Sequence, residues 1–318
     1  IFSVSLIIRF IYGFYCRKHF KESKFRFFWN KPLFKTLINY AGWNLWGNIA
    51  TVLKDQGVNV LLNMFFGPVV NAARGIAYQV SSAVNQFVAN FQMAMNPQII
   101  KSYAVSDLKY MHQLIFQGAK YSFFLLFTLS LPILLETDQI LKLWLKTVPE
   151  YTVIFTRLVI INVLIDCISG PLMTAAQASG KIKLYQSIVG GLLILNLPAS
   201  YLFLKLGFQP QVTMYISIGI SILALYARLK IISPLVSINI IDYFKEVICK
   251  IIPVMFTAVI VSGFIMYLLP VNVARLLITC VIAVSSVGLA VFLFGLSHDE
   301  QQYMIKSLKR ITSKTKSQ

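Results

Sequence analysis

The sequence predicts an all-α integral membrane protein, a polytopic helical bundle of about eight full transmembrane helices plus one partial helix. Hydrophobic residues make up 57% of the 318 residues and charged residues only 13%, whereas a soluble domain usually carries about 25% charged residues. Apolar runs near the roughly 20 residues that a helix needs to cross a bilayer recur along the whole chain. Most of the 29 lysines and arginines fall in segments that share one side of the membrane if consecutive spans alternate.

The predicted spans follow these apolar runs in order, and turn signals separate them. They cover residues 1–15 (a partial span), 37–66, 70–98, 114–135, 151–176, 184–206, 212–229, 251–269 and 273–296. Glycine and proline mark the connections, as in FGPV at 66–69 and PVN at 270–272. The chain opens inside an apolar run that is too short for a full span, so we expect it to begin within a helix of a longer protein.

The net charge of +18 is explained by the basic loops. Lysine and arginine gather in cytoplasmic loops, which predicts a cytoplasmic side for the segments 16–36 and 231–250 and for the C-terminal tail. No nucleic-acid partner is expected, because the cations lie in short loops instead of on one face of a soluble fold. The tail from Lys306 onward is suited to anionic lipid headgroups.

Cysteine and histidine give no sign of a metal or cofactor site. The residues concerned are far apart in the chain: Cys16, Cys167, Cys249, Cys280, His19, His112 and His298. Neither set has the spacing of a disulfide framework or a zinc site. We therefore predict no cofactor and no catalytic cluster.

The stretch WNLWGNIATVLKDQGVNVLL, residues 43–62, is long enough to span a bilayer yet carries a row of polar residues. At 100° per residue, five polar side chains fall within an arc of about 80°. They are Asn44, Asn48, Thr51, Asp55 and Asn59. Lys54 points about 80° to the other side of Asn44, at the edge of this row.

The next span, 70–98, repeats the pattern on one face. Its polar residues are Asn71, Arg74, Tyr78, Ser82, Asn85, Gln92 and Asn96. A charge in mid-bilayer costs about 2.5–3.5 kcal/mol on insertion scales and usually faces a bundle interior or a hydrated cavity. Interhelical hydrogen bonding would explain any single amide. A hydrated cavity explains the two full rows with Lys54, Asp55 and Arg74 better.

Sparser features predict breaks and an interfacial helix. Span 151–176 carries Arg157, Asn162 and Asp166, and then Gly170 and Pro171 predict a break. That break fits either helices that rearrange around a substrate or a static packing kink. The sequence GG at 190–191 and a proline at 198 are compatible with bending, and 137–150 reads as a short interfacial helix. The last two spans are predicted to face lipid.

A family resemblance rests on the run at 41–104, above all on FFGPVVNAARGIA at 65–77 and NPQIIKSYA at 96–104. LLETDQILKLWL at 134–145 and AAQASGKIKLYQ at 175–186 agree in style and spacing. The chain resembles the polysaccharide flippases of the multidrug/oligosaccharidyl-lipid/polysaccharide exporter superfamily. It looks most like the O-antigen and capsule transporters of Bacteroides-type bacteria, over essentially its whole length.

This resemblance implies a two-lobe exporter in the bacterial inner (plasma) membrane, with a central cavity between six-helix lobes and two extra helices. Such a protein moves undecaprenyl-pyrophosphate-linked oligosaccharide to the periplasmic leaflet by alternating access. On this plan, residues 1–36 end a truncated helix and form a basic loop. Residues 37–230 form the second lobe, 231–297 a cytoplasmic loop and the extra helices, and 298–318 a basic cytoplasmic tail. On this plan we expect the first lobe to lie outside these 318 residues.

A pyrophosphate-linked sugar needs cations for its head and amides for its glycan. The candidate cations are Lys54, Arg74 and Arg157, and the candidate hydroxyl-binding amides are Asn44, Asn48, Asn71, Asn85 and Gln92. Asp55 or Asp166 would bind a coupling ion or merely neutralise a neighbouring cation. The expected partners are the lipid-linked oligosaccharide, the phospholipid bilayer and other polysaccharide assembly proteins.

Three alternatives stay open. The first is a related exporter of drugs or peptidoglycan lipid precursor, although cations outnumber carboxylates in the spans. The second is a membrane glycan polymerase or ligase, which needs a general base in a sizeable external segment. The longest predicted external loop, 137–150, carries no histidine, so we do not expect an enzyme. The third is a structural membrane protein whose polar rows only hold helices together.

Overall fold

The computed structural model describes residues 2–23, 27–302 and 305–306, and every regular element in these ranges is helical. The chain divides into two compact units, residues 1–42 and 43–318. In the first unit, α1 (Phe2–His19) is followed by a 3₁₀ turn, Lys21–Ser23. The helix α2 (Lys31–Phe66) starts in this unit, where Asn30 Oδ1 accepts a hydrogen bond from Leu33 N at 3.0 Å and so caps the helix.

The second unit contains the end of α2 and all later helices. These are α3 (Pro68–Ala104), α4 (Leu108–Leu135), α5 (Thr137–Trp144), α6 (Thr152–Cys167), α7 (Gly170–Ala178), α8 (Ile182–Ile194), α9 (Asn196–Lys205), α10 (Val212–Val236), α11 (Ile240–Tyr243), α12 (Cys249–Leu268) and α13 (Val273–Ala290). A π-helical turn joins α11 to α12, and another ends α13. The predicted all-α class is confirmed.

Six helical segments in the described part are long and apolar enough to cross a membrane. They are Leu108–Leu135, Thr152–Ala178, Ile182–Lys205, Val212–Val236, Ile240–Leu268 and Val273–Gly295. The helices α2 and α3, at 36 and 37 residues, are longer than any of these. They fall outside the set because of composition, since polar residues lower their mean hydropathy. The chain is therefore a multi-pass membrane protein.

The predicted break at Gly170 and Pro171 is confirmed, and the span that is compatible with bending in sequence is interrupted as well. The helix α6 ends at Cys167 and α7 begins at Gly170, where Pro171 provides a first-turn residue without an N–H. The segment 182–205 is interrupted at Leu195, between α8 and α9. Pro198 explains this interruption, because it cannot donate to the carbonyl four residues earlier. The predicted short helix in 137–150 forms as α5, and its Trp144 is exposed.

The predicted loop at 231–250 is instead mostly helical. The helix α10 continues to Val236 and α11 begins at Ile240. Asn239 Oδ1 accepts a hydrogen bond from Ile241 N at 2.9 Å and starts the new helix. Ile232 and Tyr243 on either side of this connection are fully buried. A hydropathy analysis places the end of a span at the first charged residues. The helix itself continues as long as its backbone hydrogen bonds are made and one of its faces stays packed in the protein.

The core of the second unit is built around α4. Its buried apolar residues recur about one turn apart, at Met111, Ile115, Ala119, Phe123 and Phe127. The helix packs against α3, α6, α7, α12 and α13. In its most apolar stretch 61% of the residues are buried, against 22% in Ile240–Leu268 and 28% in Val273–Gly295. The last two spans are thus among the least buried, together with Ile182–Lys205 at 28%, and their contact with lipid stays a prediction.

Candidate functional site

The helices α2 and α3 share a polar face that the structure leaves largely open. We define the polar face as Asn44, Asn48, Thr51, Asp55 and Asn59 of α2 with Asn71, Tyr78, Ser82 and Asn85 of α3. Asn48, Thr51, Ser82 and Asn85 are exposed and the others are half-buried. Among the described residues, the side-chain amides of Asn48 and Asn85 take part in no hydrogen bond. A membrane helix cannot present such a face to hydrocarbon without a large cost.

The buried faces of the two helices lie beside the polar face. On α2 the buried face includes Gly47, Ala50 and Val58. A Cβ on Gly47 would lie 2.0 Å from Gln186 Oε1, and one on Gly57 would lie 2.5 Å from Leu197 Cδ1. The helix α2 therefore packs closely on α8 and α9 through residues that lack side chains, and this contact fixes the direction in which the polar face points.

Lys54 lies on this buried face, not at the edge of the polar face. Its side chain is only 9% exposed, because it stands in line with the positions that pack on α8 and α9. Among the described residues, no carboxylate forms an ion pair with it. A buried cation without a counter-charge is costly, so packing alone gives no reason for a lysine here.

Arg74 joins α2 to α3 at the polar face. It is 3% exposed and donates to Asn59 Oδ1, to Tyr78 OH at 3.0 Å and to the backbone carbonyl of Asp55 at 3.3 Å. Its guanidinium carbon also lies 4.4 Å from the centroid of the Tyr78 ring, within cation–π range. Its Nε has no hydrogen-bond partner in the described part of the chain. Neutral groups hold this cation, so its charge is not cancelled by an ion pair.

A second set of hydrogen bonds joins α10 to α6. Ser221 of α10 donates to Asn162 Oδ1 at 3.1 Å, and Asn162 Nδ2 donates to Asp166 Oδ2 at 3.0 Å. One of the two aspartates singled out in the sequence, Asp166, is therefore hydrogen-bonded within the protein.

Gln92 has a different environment from the open amides. Its Nε2 donates to Ser122 Oγ and to the Cys167 carbonyl, both at 2.9 Å, so both of its N–H groups are used. A Cβ on Gly170 would lie 2.3 Å from Gln92 Oε1, which explains the glycine at the start of α7. Gln92 therefore serves as an interhelical contact in this structure, and its role in binding sugar stays a prediction.

The break between α6 and α7 is held by side chains from other helices. Besides the bond from Gln92 to the Cys167 carbonyl, Tyr243 OH donates to the Ile168 carbonyl at 3.1 Å. Arg228 donates to Ser169 Oγ at 2.9 Å and to Tyr185 OH at 3.2 Å. Backbone groups freed by a break inside a membrane need such partners. This arrangement supports a packed break.

Sequence reasoning missed Arg228 and Tyr243. Arg228 sits in the run YARLK at 226–230, where the first charges suggest the end of a span, yet it is only 8% exposed. Arg228 lies four residues after Ala224 and so on the same face of α10, which is buried. This spacing is the one sequence feature that indicates a buried arginine. Nothing local to Tyr243 distinguishes it from an interfacial tyrosine.

Arg157 lies apart from the contacts of Arg74. Its Nε donates to Thr137 Oγ1 at 3.3 Å, at the start of α5. Next to Thr137, Glu136 is 1% exposed and pairs with Arg275 Nη2 of α13 at 2.8 Å. Thr279 also donates to Glu136 Oε1 at 3.3 Å. Arg157 therefore borders a structural ion pair that sequence reasoning did not identify.

A further buried ion pair forms beyond the end of α13. Lys120 Nζ lies 2.8 Å from Glu300 Oε2, and Gln117 Nε2 donates to Glu300 Oε1 at 3.1 Å. Burial raises the pKa of Glu300, but hydrogen bonds from Lys120, Tyr121 and the Ser297 backbone outweigh it and lower the pKa to about 2. The carboxylate thus stays ionised and ties the end of α13 to α4. Most of the predicted basic tail, including 307–318, lies outside the described residues.

The described residues contain no group of three or more histidine, cysteine or acidic side chains that would hold a metal ion. Comparison of the chain with protein-family models, with curated proteins and with solved structures gives no match.

Proposed function

We propose that this chain is a transport lobe of a flippase that moves lipid-linked oligosaccharide across the bacterial inner membrane by alternating access. The proposal extends to undecaprenyl-pyrophosphate as the lipid carrier and to a cytoplasmic C-terminus. The observation that carries it is the polar face of α2 and α3, which exposes unbonded amides in a multi-pass membrane protein. The family resemblance names the substrate class, and the chemistry of the face is compatible with it.

The contacts around Arg74 suit the anionic head of such a substrate. The guanidinium is buried directly behind the polar face, with neutral partners and one N–H without a partner, so an anion at the face would be attracted by a positive charge that no carboxylate pairs. Asn48 and Asn85 would bind glycan hydroxyls, and Asn44 and Asn71 lie on the same face.

Asp55 and Asp166 are our candidates for coupling-ion chemistry. Arg74 donates to the backbone carbonyl of Asp55, so ion binding at Asp55 would change the surroundings of this cation, while Asp166 accepts a hydrogen bond from Asn162. Lys54 and Arg157 stay in the proposal as cations exposed in another conformation, since neither lies on the polar face here.

The competing structural interpretation predicts that amides in the spans are bonded between helices. Gln92, Asn162 and Asn196 behave in this way, with Asn196 Nδ2 donating to Ser217 Oγ at 2.8 Å. Asn48 and Asn85 do not. Because bonded and unbonded amides coexist in one protein, helix packing does not explain the unbonded ones. We propose that they serve transport instead of catalysis.

The test uses the natural full-length protein in proteoliposomes with a labelled undecaprenyl-pyrophosphate oligosaccharide. The Arg74→Gln variant should flip this lipid at least about tenfold more slowly, because a charge-assisted contact of about 1.5–3 kcal/mol is lost. Lys205→Gln, which changes an exposed cation at the end of α9, is the matched control and should flip normally.

Cysteines at Asn48 and Asn85 provide the second measurement. A membrane-impermeant thiol reagent should label both, and excess substrate should slow the labelling. Absence of labelling in every condition, or an unchanged flipping rate in Arg74→Gln, would contradict the proposal.

A further inference from the structure

The helix α1 carries a groove that changes character along its length. The groove has a volume of about 540 Å³ and is lined by two rows of side chains. Within each row, successive residues lie one helical turn apart. One row is Phe10, Phe14 and Lys18, and the other is Ile11, Tyr15 and His19. The apolar members of both rows are exposed, with Phe10 at 76% and Phe14 at 74%. The groove therefore runs from an aromatic floor to a cationic end.

The cationic end carries more positive charge than is needed to offset the partial negative charge of the helix C-terminus. Arg17, Lys18 and His19 form the last turn of α1. A helix C-terminus carries roughly half a negative charge, whereas Arg17 and Lys18 alone supply two positive charges, and both are exposed. Within the described residues neither forms an ion pair, so this end attracts an anion.

The two ends of the groove demand different surroundings. Phe10 and Phe14 favour hydrocarbon, whereas Arg17 and Lys18 belong at the interface with water. Phe10 and Lys18 are separated by about 12 Å along the helix, at 1.5 Å per residue. Phe20, Phe27, Phe28 and Trp29, which follow α1 and are all exposed, add the aromatic belt that is usual at headgroup depth.

We propose that this groove on α1 binds an anionic phospholipid, with an acyl chain along Phe10 and Phe14 and the phosphate at Lys18, while Arg17, beside the groove in the same last turn, adds a second positive charge. The cations match the negative headgroup and the aromatic rows match the chain. This site lies in the first unit, on residues that take no part in the polar face, and the proposal does not depend on flippase activity.

The test uses the natural full-length protein in nanodiscs that contain a trace of photoactivatable phosphatidylglycerol or phosphatidylcholine. Peptide mapping after illumination should find phosphatidylglycerol on residues 10–19 several-fold more than phosphatidylcholine. The double variant Arg17→Gln/Lys18→Gln should lower the phosphatidylglycerol signal about tenfold or more, since each basic residue near an anionic surface contributes about 1 kcal/mol. Raising salt from 0.1 to 1 M should weaken it too, because the screening length falls from about 10 to about 3 Å.

The double variant Lys142→Gln/Lys146→Gln, which removes two exposed cations elsewhere, is the matched control and should keep the wild-type signal. A cysteine-accessibility map should show unchanged topology in both double variants, because Lys21, Lys31 and Lys35 remain in the basic segment. Equal labelling by the two lipids, or an unchanged signal in Arg17→Gln/Lys18→Gln, would overturn the proposal and show only a lipid-exposed helix.

Discussion

The hairpins α2–α3 and α12–α13 are both pairs of consecutive long helices, but only α2–α3 exposes side-chain amides that are not bonded within the described residues. In α12–α13 the polar groups are few and they are bonded inside the protein: Ser262 meets Ser286 at 3.0 Å, and Glu136 and Lys120 of the α4 region pair with Arg275 and Glu300. In α2–α3 the amides of Asn48 and Asn85 are exposed and unbonded. Polar residues of the first kind hold helices together, and those of the second kind remain available to a ligand.

The largest expected effect concerns the ion pair between Glu136 and Arg275. Glu136→Leu should lower the free energy of unfolding by about 3–5 kcal/mol, because it leaves Arg275 partly buried without a counter-charge. Thermal unfolding in detergent would measure this effect. The control is Asp138→Ala, which breaks an exposed pair with Lys142 and should cost about 0–1 kcal/mol. Equal effects of the two variants would remove the distinction between the hairpins.

A paired comparison of amides tests the difference directly. Asn196→Leu should destabilise the protein by about 1–3 kcal/mol, because the buried hydroxyls of Ser217 and Ser200 lose their partner. Asn48→Leu should leave unfolding unchanged within about 0.5 kcal/mol but slow the flipping of lipid-linked oligosaccharide. The assays are thermal unfolding and proteoliposome transport. A strongly destabilised Asn48→Leu would mean that this amide also belongs to the packing.

Substitution of Lys54 should change the stability and the transport activity of the protein in opposite directions. Lys54→Met should raise the free energy of unfolding by about 1 kcal/mol, because it replaces a buried, unpaired cation with an apolar side chain of similar length. Transport should fall if this cation serves the substrate in another conformation. Lys205→Met, at an exposed lysine, provides the control and should change neither quantity. Destabilisation by Lys54→Met would indicate an interaction that holds the lysine in place.

The smallest expected effect is a pH dependence of the free energy of unfolding that arises from the ion pair between Lys120 and Glu300. Since the pKa of Glu300 is about 2 in the folded protein, below the usual value of about 4.3 for glutamate, its contribution is fully present above pH 4.3. That contribution is lost as the pH falls towards 2. The free energy of unfolding should therefore decline between pH 6 and pH 3, and this decline should be smaller in the Glu300→Gln variant. An identical pH profile in the variant would argue against ionic attachment at this site.

Lys54 and Arg228 show where sequence reasoning reached its limit. The helical wheel puts Lys54 near the polar residues, within the uncertainty of an ideal 100° step, but the close approach of α2 to Gln186 and Leu197 places it among packed positions. Arg228 follows an apolar run and resembles a loop cation. Its burial depends on Tyr185 and Ser169, which lie 43 and 59 residues away in the chain.

The amino-acid sequence alone determined the helical class, the order of the spans, the breaks at Pro171 and Pro198 and the polar face of α2 and α3. These features depend on local propensity, on hydrophobic period and on missing backbone donors, which act over a few residues. The tertiary structure decided which polar groups are paired: Glu136 with Arg275, Lys120 with Glu300, and Gln92 with the broken helix. Pairing depends on contacts between distant segments, and in a membrane it decides whether a polar side chain stabilises the fold or stays available to bind.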